Sequence, residues 1–322
     1  MEERPLKVSV MMLTYNHEKY LAQAVLSALD QKTDFDYEIV IGDDCSTDRT
    51  REVAQALYDK HPDKIRLIFR EKNLGGRRNF LATYPTCSGD YIALLEGDDF
   101  WTSRYKLQKQ VNMLDRNPDL VISFHNVVCF YEDGSKQPWI YCPQTQRSIS
   151  TLEDLLVENF IPTCSVMFRN RLISEFPDWY LTTFMGDWPL YVLHAQHGNI
   201  GYFNEINAQR RIHSGGIWSS LSRIRQFEVD IQAYRQIDQH LEFKYSELIQ
   251  SRIAIKQEKI NELQGAASSL LIAANHLLRC GDIQAAVDLL IRSNTIQPSA
   301  EIAELISQLG GATIPPSRIL SA

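Results

Sequence analysis

The chain has 322 residues, of which 44% are apolar and 23% are charged, a composition typical of a folded globular protein with a sizeable core. Its 33 basic and 40 acidic residues give a net charge of -7, which argues against binding of nucleic acid through a general basic surface. The six cysteines include no C-x-x-C pair, so we interpret them as reduced thiols. The N-terminus lacks the shape of a signal peptide, and no apolar run approaches the ~20 residues that span a bilayer, so a cytoplasmic location is the default expectation.

The first 130 residues alternate between strand and helix patterns. KVSVMMLT forms a nearly continuous apolar run, which is typical of a parallel strand buried on both faces. The segment after it places apolar side chains at helical spacing. The predicted strands cover residues 7–14, 38–43, 65–69, 91–95 and 120–130, and the predicted helices cover about 21–29, 49–60 and 107–116.

This succession predicts an α/β fold with a doubly wound, mostly parallel sheet and helices on both of its faces. Ligands of such sheets bind beyond the carboxyl ends of the strands. Three polar segments fall at those ends, namely Thr14-Tyr15-Asn16, Asp43-Asp44 and Glu96-Gly97-Asp98-Asp99. We therefore expect the three segments to converge in space and to form a ligand site.

The stretch LLEGDDFW places three carboxylates around one glycine. Neighbouring side chains of an extended segment point to opposite faces, so one of Asp98 and Asp99 can face a sugar hydroxyl while the other faces a metal ion. Oxygen ligands favour Mg²⁺ or Mn²⁺, and Gly97 lets the backbone approach a ligand closely. The alternative is a solvated acidic turn.

The rest of the chain divides into an irregular, aromatic-rich part over residues 131–220 and a helical part from about Arg223. We predict a catalytic domain over residues 1–222 and a helical region over 223–322. Apolar residues at a spacing of three and four over 224–241 favour a helix that packs on its own domain, with a dimeric coiled coil as the alternative.

Six segments occur in a characteristic order between residues 6 and 220. They are KVSVMMLTYNHEKYLAQAVLSAL, IGDDCSTDRT, NLGGRRNF, SGDYIALLEGDDFW, GDW and RRIHSGG. Together they resemble the family 2 glycosyltransferases, which have a GT-A type nucleotide-sugar fold. The resemblance implies a metal-dependent enzyme that moves a sugar from a nucleoside-diphosphate sugar to an acceptor hydroxyl with inversion. It is strongest to bacterial enzymes that build surface polysaccharides and related glycans.

The resemblance also implies which residues hold the donor. Asp44 corresponds to the residue that hydrogen-bonds the nucleobase, although it could instead cap the following helix. Arg77 and Arg78 would supply positive charge near the diphosphate. The implied nucleotide-sugar-binding residues are Thr14, Tyr15, Asn16, Asp44, Asn73, Gly75, Arg78, Asn79, Asp98 and Arg211.

By the same resemblance, Asp99 and His213 are the implied ligands of Mn²⁺ or Mg²⁺. Glu96 stands at the family's first acidic position with a side chain one methylene longer, and we assign it no role. Asp187 occupies the place of the general base, which takes the proton of the attacking hydroxyl. Because Pro189 follows in the first helical turn, a helix cap is the alternative for Asp187.

Three tryptophans are candidates for stacking on a sugar ring at the acceptor side, with buried packing as the alternative. They are Trp101, Trp188 and Trp218. A UDP-sugar is the expected donor by its frequency in the family, and the acceptor stays open between a glycan, a lipid-linked molecule and a protein. A lipid-linked acceptor would require peripheral membrane contact.

Residues 281–298, GDIQAAVDLLIRSNTIQP, resemble the second half of a tetratricopeptide repeat. We predict a helical hairpin over about 268–308, with Gly281 at its turn. Because one repeat cannot bury its apolar face alone, we expect this face to pack against the preceding helix, a second copy of the chain or another protein.

Three other functions are alternatives to a glycosyltransferase. A dinucleotide dehydrogenase would need G-x-G-x-x-G after the first strand, where this chain has TYNHEKY. A nucleotidyltransferase would release pyrophosphate instead of a nucleoside diphosphate. A catalytically weak nucleotide-binding scaffold, whose helical tail recruits a partner, is the main alternative, but it does not explain why both Asp99 and Asp187 are present.

Overall fold

A computed structural model describes residues 6–310 of the protein. Short 3-10 helical turns occur at Tyr84–Thr86 and Thr163–Ser165. The strands are β1 (Leu6–Thr14), β2 (Asp36–Asp43), β3 (Ile65–Phe69), β4 (Tyr91–Leu94), β5 (Phe100–Trp101), β6 (Leu120–Tyr131), β7 (Trp139–Ile140), β8 (Ile149–Ser150), β9 (Met167–Arg169) and β10 (Asn199–Ile212). The α-helices are α1 (Leu21–Leu29), α2 (Thr50–Tyr58), α3 (Gly76–Thr83), α4 (Lys106–Arg116), α5 (Leu152–Val157), α6 (Asp178–Thr182), α7 (Asp187–Ala195), α8 (Arg223–His240), α9 (Ser246–Cys280), α10 (Ile283–Ile296) and α11 (Ala300–Gln308).

The described residues form one mixed sheet with the strand order β3-β2-β1-β4-β9-β6-β10-β5, and β7 and β8 pair with β6 and β10. Strands β3, β2, β1 and β4 run parallel to one another. Strand β9 runs antiparallel to both of its neighbours, β4 and β6. The predicted α/β class is confirmed, and the parallel strands are the ones that the sequence pattern located.

The parallel half forms because its strands are apolar on both faces. Val8, Val10 and Met12 of β1 are fully buried, and so are residues 39–41 of β2. Helix α1 packs its predicted apolar face inward, so that Leu21 is also fully buried. Burial of this kind contributes about 25 cal/mol per Å² of apolar surface.

The chain divides into two compact units, one ending at Arg211 and the other beginning at Ile212. The predicted catalytic domain ends at residue 222, whereas the first compact unit ends at Arg211. Residues 212–222 therefore lie in the second unit of the structure. In that unit α8 packs on α9 through a cluster that includes Phe227 and Ile260. The one polar position in the apolar spacing of α8, Asp238, accepts hydrogen bonds from Ser246 Oγ (2.9 Å) and Gln250 Nε2 (3.1 Å) of α9.

The end of α9 and helix α10 form a helical hairpin in the second unit. Gly281 ends α9 with a φ of 82°, a left-handed conformation that favours glycine. Ser293 of α10 is buried and donates to the carbonyl oxygen of Ala267 in α9 (2.9 Å). Within residues 6–310, no helix is both long and apolar enough to cross a membrane.

Candidate active site

The carboxyl ends of β1, β2 and β4 meet, as the sequence predicts. The amide of Gly97, beyond β4, donates to the carbonyl oxygen of Leu13 (3.1 Å), and the amide of Asp44 donates to that of Thr14 (3.0 Å). A Cβ atom at Gly97 would lie 2.8 Å from His17 Nδ1 and 2.9 Å from Thr14 Oγ1. Glycine at position 97 is therefore needed for the close approach of the acidic turn to the end of β1.

The loop after β1 is tied to the loop after β2 through Asn16. This residue has a φ of 57°, its amide donates to Ser46 Oγ (2.9 Å), and its Oδ1 accepts from the amide of Thr47 (2.8 Å). Beside it, Tyr15 is 43% exposed. Thr14 Oγ1 is buried and has no hydrogen-bond partner among the described residues. Asn16 thus fixes the segment of Thr14 and Tyr15 against the loop after β2.

Asp44 connects the end of β2 to the loop before α3. Its Oδ1 accepts from the amide of Leu74 (2.7 Å), while the amide of Thr50 at the start of α2 is bound by Asp48 instead. The helix-cap alternative for Asp44 is therefore not what the structure shows. In the same loop, Asn73 Oδ1 accepts from the amide of Gly75 (3.0 Å), whose φ is 81°.

We expect Asp44→Ala to lower the free energy of unfolding by about 1 kcal/mol, because the partly buried amide of Leu74 would lose its acceptor. Asp44→Asn retains an acceptor oxygen and is the matched control. Urea unfolding of the two variants measures the difference. Equal stability of Asp44→Ala and the wild type would show that this bond does not hold the loop.

Two of the implied donor-binding residues at the start of α3 differ in placement. Asn79 is buried, donates through Nδ2 to the carbonyl oxygen of Gly42 (2.8 Å) and accepts at Oδ1 from Arg70 Nε (3.0 Å). Arg78 is exposed, and within residues 6–310 no hydrogen bond or ion pair of its side chain is seen. Asn79 therefore ties α3 to β2, and Arg78 is the cation available at this helix start.

The acidic turn presents its two aspartates to different surroundings. Asp99 is buried and accepts at Oδ1 from the amide of Arg211 (2.7 Å), whereas the Asp98 side chain is 19% exposed and lies 3.9 Å from His17 Nε2. Burial and the charge of Asp98 raise the pKa of Asp99 to about 7. The hydrogen bond from the Arg211 amide and the charge of Arg210 lower this pKa but do not cancel the rise.

Glu96 adds a third carboxylate to this turn. Its Oε2 is buried and has no hydrogen-bond partner among the described residues. Burial, followed by the charges of Asp99, Asp98 and Asp187, holds the pKa of Glu96 well above its usual range. Four carboxyl groups are therefore close enough to influence one another.

The guanidinium group of Arg211 braces the acidic turn. Its Nε donates to the carbonyl oxygen of Asp98 (3.0 Å), and its Nη2 donates to Gln23 Oε1 (2.7 Å). The guanidinium carbon also lies 4.7 Å from the ring centre of Tyr20. Sequence reasoning missed Arg210, which contributes the positive charge that acts on the Asp99 carboxylate. Arg210 and Arg211 are neighbours in β10, and successive side chains of a strand point to opposite faces. This alternation is the sequence signal that could have separated the roles of the two arginines.

Asp187 belongs to the same acidic cluster. It is the first residue of α7, and its Oδ1 accepts from the amide of Trp188 (2.7 Å) while its Oδ2 accepts from Thr163 Oγ1 (3.3 Å). Its charge reaches the carboxyl group of Glu96. The structure thus brings the implied base close to the acidic turn, although 88 residues separate Asp187 from Asp99 in the sequence.

Two of the three candidate acceptor tryptophans are packed in the interior. Trp101 is 4% exposed and donates through Nε1 to the carbonyl oxygen of Cys164 (2.8 Å). Trp188 is also buried, and its Nε1 donates to the carbonyl oxygen of Leu155 (3.0 Å). The structure favours the packing interpretation for both. Trp218 and His213 lie in the second compact unit, so their roles as acceptor contact and metal ligand stay predictions.

The acidic turn fits a divalent cation in its donor chemistry. Carboxylate oxygens are the ligands that Mg²⁺ and Mn²⁺ prefer. Burial, and after it the repulsion between carboxylates, raises the pKa values of Asp99 and Glu96, and a cation would offset that repulsion. Within residues 6–310, however, no three His, Cys, Asp or Glu side chains are already grouped to hold a metal ion. Mg²⁺ commonly binds one or two carboxylates together with substrate phosphates, so such a site would be completed by the nucleotide.

The family of the chain follows from sequence comparison. Residues 9–174, more than half of the chain, match the profile of the family described as Glycosyl transferase family 2. The chain therefore belongs to glycosyl transferase family 2, which confirms the resemblance stated above.

Relatives with curated sequences agree with this family. An uncharacterized protein of Mycobacterium tuberculosis is 38% identical over 213 residues, which cover 66% of this chain and 61% of that protein. TuaG of Bacillus subtilis, a protein named for teichuronic acid biosynthesis, is 33% identical over 174 residues, which cover 53% of this chain and 65% of TuaG. The chain thus matches less than two thirds of the length of these relatives.

Solved structures show the same fold. Residues 1–349 of TarS from S. aureus have a TM-score of 0.59 at 16% identity, covering 98% of this chain and 88% of that one. The mannosyltransferase PcManGT from Pyrobaculum calidifontis has a TM-score of 0.56 at 15% identity, covering 98% of this chain and 83% of that one. At these identities the likeness concerns the fold alone, and it supports the predicted GT-A type architecture with a helical C-terminal region.

Proposed function

We propose that the protein is a metal-dependent inverting glycosyltransferase that moves a sugar from a nucleoside-diphosphate sugar to an acceptor hydroxyl. The observation that carries this proposal is the acidic turn Asp98-Asp99 at the carboxyl ends of the parallel strands, with Asp187 of α7 near enough for its charge to act on Glu96 of the same turn. The named role of TuaG and the match to family 2 favour a place in the synthesis of bacterial surface glycans.

The donor would bind along the strand ends. Thr14, Tyr15 and Asp44 border the opening for the nucleobase, and the start of α3 with Arg78 faces the diphosphate, where backbone N–H groups and positive charge favour an anion. Asp98 would contact the ribose. A bound Mn²⁺ or Mg²⁺, held by Asp99 with Asp98 next to it, would supply Lewis-acid stabilisation of the leaving diphosphate.

Asp187 would act at the acceptor side. Its carboxylate accepts the proton of the acceptor hydroxyl as that oxygen bonds to the anomeric carbon. The bond from the anomeric carbon to the diphosphate oxygen breaks on the opposite face of the sugar, and its electron pair leaves with the nucleoside diphosphate. Attack from the face opposite the leaving group inverts the configuration at that carbon.

The choice of donor rests on fold neighbours and family frequency. TarS has been crystallised with UDP-GlcNAc and with UDP, and PcManGT with GDP-Man and Mn²⁺. We therefore propose a UDP-hexose or UDP-N-acetylhexosamine as the donor, with GDP-mannose as the competing case. The acceptor stays open between a glycan, a lipid-linked molecule at the membrane surface and a protein.

A panel of nucleotides tests this proposal directly. With Mn²⁺ present, we expect UDP or UDP-N-acetylglucosamine at 100 times its dissociation constant to stabilise the protein by about 2.7 kcal/mol. Thermal unfolding with UDP, UDP-N-acetylglucosamine, UDP-glucose, GDP and GDP-mannose, each with Mn²⁺ or with EDTA, measures this stabilisation. ADP is the matched control for binding of any diphosphate.

Protection by no nucleoside diphosphate would contradict the proposal. Protection by GDP and GDP-mannose alone would correct the nucleobase and leave the reaction class unchanged. Two incubations then separate the transferase classes: a glycosyltransferase releases the nucleoside diphosphate from the protecting donor, whereas a nucleotidyltransferase releases pyrophosphate from a nucleoside triphosphate and a sugar phosphate.

A further inference from the structure

Arg77 joins the start of α3 to the loop that precedes Asp187. Its Nη1 donates to the Tyr180 hydroxyl and its Nη2 to the carbonyl oxygen of Phe184, both at 3.3 Å. The guanidinium carbon lies 4.8 Å from the centre of the Tyr180 ring. Although the sequence suggested that Arg77 supplies charge to the diphosphate, its two terminal nitrogens are engaged with residues 180–184.

Tyr180 completes this connection. It is fully buried, and its ring packs against Phe80 of α3 and against Phe176, with ring centres 6.0 and 4.9 Å away. Its hydroxyl donates to the carbonyl oxygen of Gly186 (3.1 Å). Arg77 and Tyr180 therefore hold the carbonyl groups of residues 184 and 186, immediately before the proposed base.

Gly186 packs directly against the guanidinium group. A Cβ atom at this position would overlap Nη1 of Arg77, so the contact requires glycine as long as arginine occupies position 77. Protein interiors deform little, so a side chain at residue 186 would displace either the guanidinium group or the loop. We call the set of Arg77, Tyr180 and Gly186 the loop clamp.

We propose that Arg77 is a positioning residue that sets the carboxylate of Asp187 relative to the diphosphate-binding start of α3. This inference rests on the proposed role of Asp187 as general base. A base must lie within hydrogen-bond reach of the hydroxyl that it deprotonates. A displacement of about 1 Å can lower the rate about 10²-fold. Loss of the contacts to the carbonyl groups of Phe184 and Gly186 would therefore lower kcat.

Steady-state kinetics of Arg77→Ala test the positioning role. We expect kcat for the release of UDP from UDP-N-acetylglucosamine with Mn²⁺, or of GDP from GDP-mannose, to fall by about 10²-fold while the KM for the donor stays unchanged. Arg77→Lys keeps the charge but loses the two-pronged geometry, so it should be nearly as slow. The control Arg78→Ala removes the neighbouring exposed cation and should instead raise the donor KM.

Hydrogen exchange tests the clamp without activity. Amides of residues 183–187 should exchange faster in Arg77→Ala than in the wild type, and those of residues 44–47 should not change. Gly186→Ala should reduce kcat strongly in the wild-type background and much less in Arg77→Ala, because the overlapping group is then gone. This non-additivity is the signature of direct contact.

The outcomes separate this inference from the proposed function. Unchanged exchange at 183–187 in Arg77→Ala, or an unchanged kcat despite faster exchange, would overturn the positioning role. A higher donor KM with an unchanged kcat in Arg77→Ala would show that Arg77 binds the diphosphate and does not position Asp187. Full activity of Asp187→Asn would instead overturn the proposed base and leave the exchange result standing.

Discussion

Asp187→Asn is expected to lower the rate of sugar transfer by about 10²–10⁴-fold, the usual contribution of a general base. Asparagine has nearly the same shape, its Oδ1 can still accept from the amide of Trp188, and its Nδ2 can donate to the Thr163 hydroxyl oxygen, but it cannot take a proton at neutral pH. Donor binding should therefore be retained. The measurement is kcat at saturating donor, together with titration calorimetry of UDP in Mn²⁺.

Asp178→Asn is the matched control for this variant. Asp178 is likewise the first residue of a helix, α6, but it is exposed on the surface. It should keep wild-type activity. If Asp187→Asn also keeps its activity but loses stability, Asp187 is a helix cap and another group is the base.

Asp99→Asn is expected to reduce the Mn²⁺-dependent part of UDP binding by at least about 10-fold, whereas Asp98→Asn, at the proposed ribose contact, should weaken UDP binding equally in Mn²⁺ and in EDTA. Loss of an outer-shell partner of a metal site commonly costs 10–100-fold in affinity, and a direct ligand should cost no less. Calorimetry of UDP in Mn²⁺ and in EDTA isolates this part. If Asp98→Asn loses the Mn²⁺ effect while Asp99→Asn keeps it, Asp98 is the ligand and Asp99 contacts another group.

The acidic turn also predicts how stability depends on pH without metal. The folded-state pKa of Asp99 is about 7, above its ordinary value of 3.8, so the folded protein binds this proton more tightly than the unfolded chain does. The contribution of Asp99 to stability is therefore present at low pH and is lost as the pH rises through about 7. Glu96, whose pKa is also raised, acts in the same direction.

Urea unfolding in EDTA at pH 5.5 and pH 8 measures this dependence. The fall in stability should be smaller in Asp99→Asn than in the wild type, and Mn²⁺ should stabilise the wild type more at pH 8 than at pH 5.5. Asp178→Asn, which keeps the acidic turn, should follow the wild type. An identical pH dependence in Asp99→Asn and the wild type would show that Asp99 ionises normally.

Much of the parallel half of the sheet was predictable because its signals are local. Apolar runs such as KVSVMMLT need burial on both faces, and the turn residues between them mark where each strand stops. Parallel strands place all their carboxyl ends at one edge, so the convergence of Thr14, Asp44 and Asp98 followed from chain order alone.

The antiparallel half was not predictable to the same degree. Strand β9 covers only Met167–Arg169, and it separates β4 from β6 in the sheet. Three residues carry no periodicity that distinguishes a strand from a loop. Its place is set by pairing with strands that lie far away in the sequence.

The α/β class, the family and the polar segments of the candidate site can be recognised from the sequence, because each depends on local spacing and on the order of motifs. The contacts of neighbouring side chains, in contrast, are seen only in the folded protein. Arg211 braces Asp98 from 113 residues away, and Arg77 reaches Phe184 across 107 residues. Such contacts depend on how distant segments pack, and that information is not contained in the spacing of residues within any one segment.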